Sequence, residues 1–187
     1  MKNTFGYSVS LTLFGESHGP EIGAVLDGLA PGILVDEAFI QHQLSLRRPY
    51  GKISTPRVEV DEFRIVSGVF KGRTTGTPLC ILIPNTNTKS GDYQRELPRP
   101  GHADYTAECK YHGFQDHRGG GHFSGRITAA AVAAGAILLT ALREKGIRIG
   151  THAASVAGIA DRGFDDLEKD IDTLGSALFP VLSLLFV

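Results

Sequence analysis

Imidazole, guanidinium and hydroxyl groups fall on three glycine-bounded stretches of this chain, where backbone without side chains can approach a ligand closely. The first is GESHGP, residues 15–20, which puts Ser17 and His18 on a turn. Imidazole titrates near neutral pH, so His18 is either a proton-transfer group or a turn histidine. A Ser beside a His in sequence is not a hydrolytic pair, because those partners meet through the fold. The second stretch, RPGHADYTAECKY, sets Arg99 and His102 around a Pro-Gly turn that leads into a helix. Arginine there can clamp a phosphate or carboxylate through two parallel hydrogen bonds, or stand solvated while the histidine caps the helix. The third, DHRGGGHFSGR, runs from a glycine loop into a helix N-terminus, where free N–H groups and the helix dipole favour anions. It is neither GxGxxG nor a loop ending in Gly-Lys-Ser/Thr, so an ordinary nucleotide site is not indicated; the plainer alternative is a flexible turn.

Other chemistries find less support. His112, His117 and His122 lack HExxH spacing and have few acidic neighbours, so no metal site is expected. Asp165 and Asp166 lie in an acidic run that reads as solvated, unlike the paired carboxylates of glycoside hydrolysis. Arg47 and Arg48 end a predicted helix, where cations interact favourably with its C-terminus, but beside two other arginine-bearing turns they are also candidates for an anion site.

The elements that must hold these groups are legible in outline. Val9, Leu11 and Leu13 alternate with polar residues as in a half-buried strand, and IGAVLDG from Ile22 offers it a partner across GESHGP, placing that turn at a sheet end. Asp36 is an N-cap for a helix with Phe39, Ile40 and Leu44 on one side, stopped near Pro49. RVEVDEF, FRIVSGVF and LCILIP read as strands of an antiparallel meander, the last two joined through KGRTTGTP. A short helix is expected over residues 103–111 and a long one from Ser124, apolar around nearly its whole circumference from Ile127 to Leu142 and therefore buried on several sides. IRIGTHAASVAGIA then reads as strand and FDDLEKDID as a short helix.

With 187 residues the chain can bury roughly 70% of its unfolded surface as one domain, residues 1–187. Its 19 basic and 20 acidic groups nearly cancel, which disfavours a broad nucleic-acid or anionic-membrane surface. Two cysteines, Cys80 and Cys109, and an N-terminus without a long apolar core fit a reducing, cytoplasmic setting. The apolar run Ile127–Leu142 is shorter than the ~20 residues of a bilayer span and is read as a core helix.

Taken in order, GESHGPEIGAVLDGLAPG, LRRP, SGVFKGRTTGTP, RPGHADYT and KYHGFQDHRGGGHFSGRITAAAVAAGAI closely resemble the N-terminal half of the chorismate synthase family, from about Asn3 to about Gly158. The resemblance implies an α+β sandwich of long helices between antiparallel β-sheets, assembled as homotetramers. It implies a lyase of the shikimate pathway, in aromatic amino acid biosynthesis, that converts 5-enolpyruvylshikimate 3-phosphate into chorismate and phosphate by 1,4-anti elimination with reduced FMN. The chain shows no dinucleotide fingerprint, so an external NAD(P)H-dependent reductase is expected to supply the reduced flavin.

By the same resemblance, His18 is the acid assisting the departing phosphate, and His102 protonates or polarises the reduced flavin. Ser17, Arg47, Arg99 and Arg126 line the substrate pocket, while Arg47, His122, Phe123 and Ser124 match flavin-contacting positions. The family commonly reads Gly-Gly-Gly-Arg-Ser-Ser-Ala-Arg where this chain reads GGGHFSGR, so His122 replaces a fixed cation with a titratable one. The family also has a C-terminal half with further flavin contacts and a catalytic acidic residue, and here the chain ends on SALFPVLSLLFV. The expectation is therefore a truncated, aggregation-prone product, incomplete at the C-terminus: a poor catalyst, or an inactive anion-binding or assembly module built on this half.

Overall fold

Period-two alternation pairs β2 (Ser10–Gly15) with β3 (Glu21–Asp27) across the GESHGP turn, as expected. In the computed structural model, which describes residues 2–48, 60–86, 88, 91, 93–177 and 179–183, β1 (Thr4–Phe5), β4 (Arg64–Ser67) and β7 (Leu79–Pro84) complete an antiparallel five-stranded sheet in the order β1-β2-β3-β7-β4. The register aligns Leu11, Leu26 and Leu79 in one row and Leu13, Ala24 and Ile81 in the next, with Ile22 opposite Ile83. One sheet face is thereby apolar, and each fully buried Leu or Ile on it contributes about 1.5–3 kcal/mol.

Two helices stack on that face. Helix α1 (Glu37–Leu46) starts where the Asp36 carboxylate accepts the Phe39 N–H at 2.9 Å, and buries Ile40 and Leu44. Helix α3 (Thr128–Arg143) follows a 3₁₀ turn, Gly125–Ile127, whose N-cap is Ser124, and lies between the sheet and α1. Its buried residues, Ala129, Ala130, Ala133, Ala134, Ala136 and Ile137, are mostly small, which lets the backbone come close to both neighbours. The burial expected on several sides of this helix is met by the sheet on one side and α1 on another, while Val132, Leu138, Leu139 and Leu142 are only half-buried among the described residues. The stretch Gly125–Arg143 is long and apolar enough by composition to cross a bilayer, yet its apolar stripe is used here as core.

The α+β architecture, helices laid on antiparallel strands, agrees with the expected fold class. Details differ. FRIVSGVF divides at Gly68 into β4, which carries a bulge between Ile65 and Ser67, and β5 (Val69–Phe70), and β5 pairs with β6 (Arg73–Thr74) inside the expected connection. Of RVEVDEF, Arg57–Glu59 lie outside the described residues, as does Pro49, and Val60–Phe63 are not strand. Asp61 turns inward there to meet two arginines. IRIGTHAASVAGIA forms only the short hairpin β8 (Ser155–Val156) and β9 (Ile159–Ala160), with irregular backbone before it. Helix α2 (Asp104–Tyr111) is as expected, and α4 (Leu167–Ser176) is longer than the acidic run, with Asp166 as its N-cap and Asp170 buried against Arg162 rather than solvated.

Residues 179–183 are held by the buried Asp161 carboxylate and by Ala153, whose N–H donates to Pro180 O at 2.7 Å. Asp161 accepts from the Leu182 N–H at 2.7 Å, the Ser183 N–H at 2.8 Å, the Ser183 hydroxyl and His152 Nδ1 at 3.0 Å. Burial pushes its carboxyl up, but the hydrogen bonds from Ser183, Leu182 and His152 outweigh that and hold it well below the usual carboxylate range.

Candidate functional site

The β2–β3 turn and the glycine loop, a hundred residues apart in sequence, dock on each other at the end of the sheet. Within the 3₁₀ stretch Arg118–Phe123, Gly119, Gly120 and Gly121 have φ of 61°, 84° and 53°, a left-handed run that side-chain-bearing residues rarely adopt. This conformation turns backbone carbonyls towards Ser17: its hydroxyl donates to the Arg118 and Gly119 oxygens, each at 3.2 Å, and its N–H donates to Gly121 O at 3.1 Å. His122 Nδ1 closes the junction by donating to Gly15 O at 2.9 Å, which fixes the proton on that nitrogen.

His18 sits in the seam, 8% exposed, with Nδ1 at 3.2 Å from Ser17 Oγ. A methyl group on Gly119 would stand 2.2 Å from its Cε1, so the loop backbone lies directly against the ring. The Tyr93 ring meets His18 edge-on at 5.1 Å and carries the Arg99 guanidinium 5.1 Å from its centroid. Arg99 in turn is forked onto Asp104, Nε to Oδ2 at 2.8 Å and Nη2 to Oδ1 at 2.9 Å, with the Arg99 N–H on the same carboxylate. The hydrogen bond from the Arg99 side chain is the main reason that the Asp104 carboxyl is pulled down to about 2. A similar fork joins Arg118 to Asp116 and lowers the Asp116 carboxyl.

Two adjoining cavities open beside this seam. One, of about 240 Å³, is walled by Tyr93, Leu97, Arg99, Asp104, His117 and Gly120. The other, of about 320 Å³, is largely aromatic, with Phe14, Tyr111, Phe114, His122 and Phe123, and Lys110 Nζ lies 5.0 Å and 5.3 Å from the Tyr111 and Phe123 rings. Gln115, Asp116, Ala107 and Gly120 belong to both. At this shared wall the Gln115 side-chain nitrogen donates to Glu108 at 2.6 Å, while its buried Oε1 has no hydrogen-bond partner among the described residues.

The candidates thus separate into groups. Ser17, His18, Arg99, His122 and Phe123 gather around the seam and its cavities. His102 follows the Arg99 turn, its N–H donating to Arg99 O at 3.2 Å and its ring exposed. Ser124 caps the turn into α3, accepting the Arg126 N–H at 3.3 Å. Arg47 and Arg126 come together elsewhere, on Asp61: Arg47 Nη1 reaches Oδ2 at 2.8 Å, and Arg126 Nη1 meets Oδ1. Among the described residues no His, Cys, Asp and Glu group could hold a metal ion. Sequence reasoning missed Tyr93, Asp104, Gln115, Asp61 and Asn85. An acidic residue inside the supposed strand VEVDEF was the one available signal for Asp61, since an unpartnered carboxylate is costly there.

A family model described as chorismate synthase matches residues 9–177. A chorismate synthase of Aeropyrum pernix is 49% identical over 86% of this chain and 43% of its own length, and one of Cupriavidus necator is 52% identical over 84% and 44%. A solved structure described as the crystal structure of chorismate synthase superposes with a TM-score of 0.56 at 30% identity, covering 80% of this chain and 38% of that one. The chain spans about half the length of the curated relatives it matches. With nine-tenths of its residues under one family model and the seam built from its motifs, the chain belongs to the chorismate synthase family.

Proposed function

We propose that this chain, acting as one domain, carries the site of the chorismate synthase reaction, the 1,4-anti elimination of phosphate from 5-enolpyruvylshikimate 3-phosphate. One ring carbon–oxygen bond to phosphate breaks, one ring proton leaves, and a second ring double bond forms, giving chorismate, phosphate and no net redox change. The observation that carries the reading is the buried His18, fixed between Gly119 and Tyr93, with the Arg99 guanidinium against the same Tyr93 ring. An imidazole held there gives a proton to the departing phosphate oxygen, and Arg99 with Ser17 orients the anion. Arg47 and Arg126 complete substrate binding.

The aromatic cavity fits the ring system of reduced FMN, because it offers flat apolar walls and, at Gln115 Oε1, a buried acceptor awaiting an N–H donor. His122, Phe123 and Ser124 would hold it, and His102 would supply or hold the proton on its polar edge. When bound, the reduced flavin supplies transient electron density to the substrate. An external NAD(P)H-dependent reductase delivers it, in the cytoplasm, to a homotetramer.

The test is anaerobic turnover of 5-enolpyruvylshikimate 3-phosphate with chemically reduced FMN. Chorismate is expected to form, and His18→Ala and His102→Ala each to lower kcat about 10²-fold without loss of fold. Release of no chorismate, or wild-type rates in both variants, overturns the reading.

A further inference from the structure

The seam that holds His18 has a second support, centred on Asp61 and Asn85, which line neither of its two cavities. Asp61 is 1% exposed, and its two carboxylate oxygens serve two different arginines. Arg47 caps the end of α1 and also donates from Nη2 to Gly125 O and Thr128 Oγ1, each at 3.2 Å. Arg126 lies in the turn that starts α3. Asp61 therefore ties the end of one core helix to the beginning of the other.

From Arg126 the connection continues. Its Nε donates to Asn85 Oδ1 at 2.9 Å and its Nη2 to Pro84 O at 2.9 Å. The Asn85 amide nitrogen donates to Glu16 O at 2.9 Å and to Gly19 O at 2.8 Å, the two carbonyls that bracket Ser17 and His18. Both ends of this one amide are used, its oxygen towards Asp61 by way of Arg126 and its nitrogen on the turn that carries the histidine.

Stability alone does not account for such an arrangement. Burying two charges and half-burying a third is expensive, and apolar side chains of the same volume commonly serve as well or better. What the network supplies and apolar residues would not is direction: each bond fixes the next group along a polar path from the helix pair to one turn. We infer that Asp61 and Asn85 are positioning residues that hold Arg47, Arg126 and the His18 turn in the geometry the reaction requires. This rests on the reading of His18 as the proton donor to the leaving phosphate.

The experiment separates the two ideas by following the His18 ring itself. In this chain the ring signals of His18 are assigned by NMR from their loss in His18→Asn, and are then recorded in Asp61→Asn and Asn85→Asp. Asp61→Asn keeps the shape but puts an N–H₂ donor against a guanidinium. Asn85→Asp keeps the acceptor for Arg126 and turns a second oxygen towards the Glu16 and Gly19 carbonyls. Both variants are expected to shift and broaden the His18 signals while thermal unfolding stays cooperative. Adding Asp61→Asn to Asn85→Asp is expected to move them no further, because the path is already cut. Where the wild type turns over, a displaced proton donor is expected to lower kcat about 10²-fold with KM little changed, a split that general loosening of the fold would not produce. His18 signals unchanged in Asp61→Asn overturn the inference; if that variant does not fold, unchanged signals in Asn85→Asp overturn it. A wild type that forms no chorismate defeats the functional reading alone, since the ring signals still decide whether Asp61 and Asn85 position the His18 turn.

Discussion

Replacing Gly119 and Gly120 by alanine, one at a time, separates backbone strain from contact with His18. Both glycines are left-handed, with φ of 61° and 84°, so each alanine incurs about 1–2 kcal/mol of strain, partly offset by about 0.4–1 kcal/mol from a stiffer unfolded chain. Their surroundings differ. A Cβ at Gly120 meets nothing nearer than Arg99 Nη2 at 3.8 Å, whereas one at Gly119 stands 2.2 Å and 2.3 Å from His18 Cε1 and Nδ1 and 2.7 Å from Ser17 Oγ. No real Cβ tolerates those distances, so the His18 ring must leave its slot, at about 1–3 kcal/mol for an overpacked site. Gly120→Ala is thus expected to cost about 1 kcal/mol and Gly119→Ala about 2–4 kcal/mol. The milder φ belongs to Gly119, so strain cannot produce that order. Urea unfolding at constant m-value gives the two losses, and the His18 ring signals report which variant moves it. Equal losses, or a His18 signal unmoved in Gly119→Ala, would refute the packing of the loop on this ring.

Two further outcomes follow from the carboxylates. Asp104 is lowered to about 2 when folded, chiefly by Arg99, so the unfolded chain takes up its proton first; stability from this group is present above about pH 4 and is lost as pH falls towards 2. Asp104→Asn is expected to flatten the fall in urea midpoint over that window relative to the parent, and an unchanged pH profile would show that the fork does not hold in solution. Asp161→Ala removes the acceptor for the Leu182 and Ser183 amides, so hydrogen exchange at both is expected to rise to that of an exposed segment; retained protection would show that residues 179–183 are held by other contacts.

What sequence reading recovers here follows the range of the interaction. The β2–β3 hairpin, the Asp36 cap and helix α2 were legible because alternation, capping side chains and turn glycines act within a few residues. The site motifs were legible as local concentrations of imidazole and guanidinium. Their partners were not. Asp61 reads as a polar interruption in a strand until Arg47 and Arg126 arrive from two helices, and Asn85 reads as the residue after a strand until it spans Glu16 and Gly19. Tyr93 gave no periodic signal, yet its ring meets both His18 and Arg99. The half-buried flank of α3 escaped for a related reason: composition reports that a helix is apolar all round, and only the neighbours decide how many sides are covered.

These pairings bear on how the site would meet an anion. Arg99 is forked on Asp104, Arg118 on Asp116, and Arg47 with Arg126 on Asp61, so the cations the motifs advertise are largely neutralised before any ligand comes. With a net charge of −1 the chain also lacks a field that would draw anions from a distance. Each guanidinium nevertheless carries five N–H donors, and the Asp104 fork occupies only the Nε and one Nη2 donor of Arg99, leaving its Nη1 edge directed by the same bonds. The carboxylates weaken long-range attraction and settle the rotamer freedom of long side chains, about 2 kcal/mol each, in advance of binding. On the proposed function, recognition of a phosphate here would rest on preformed donor geometry more than on bulk charge, which is the arrangement an enzyme needs when the same anion must be held, and then let go, within one turnover.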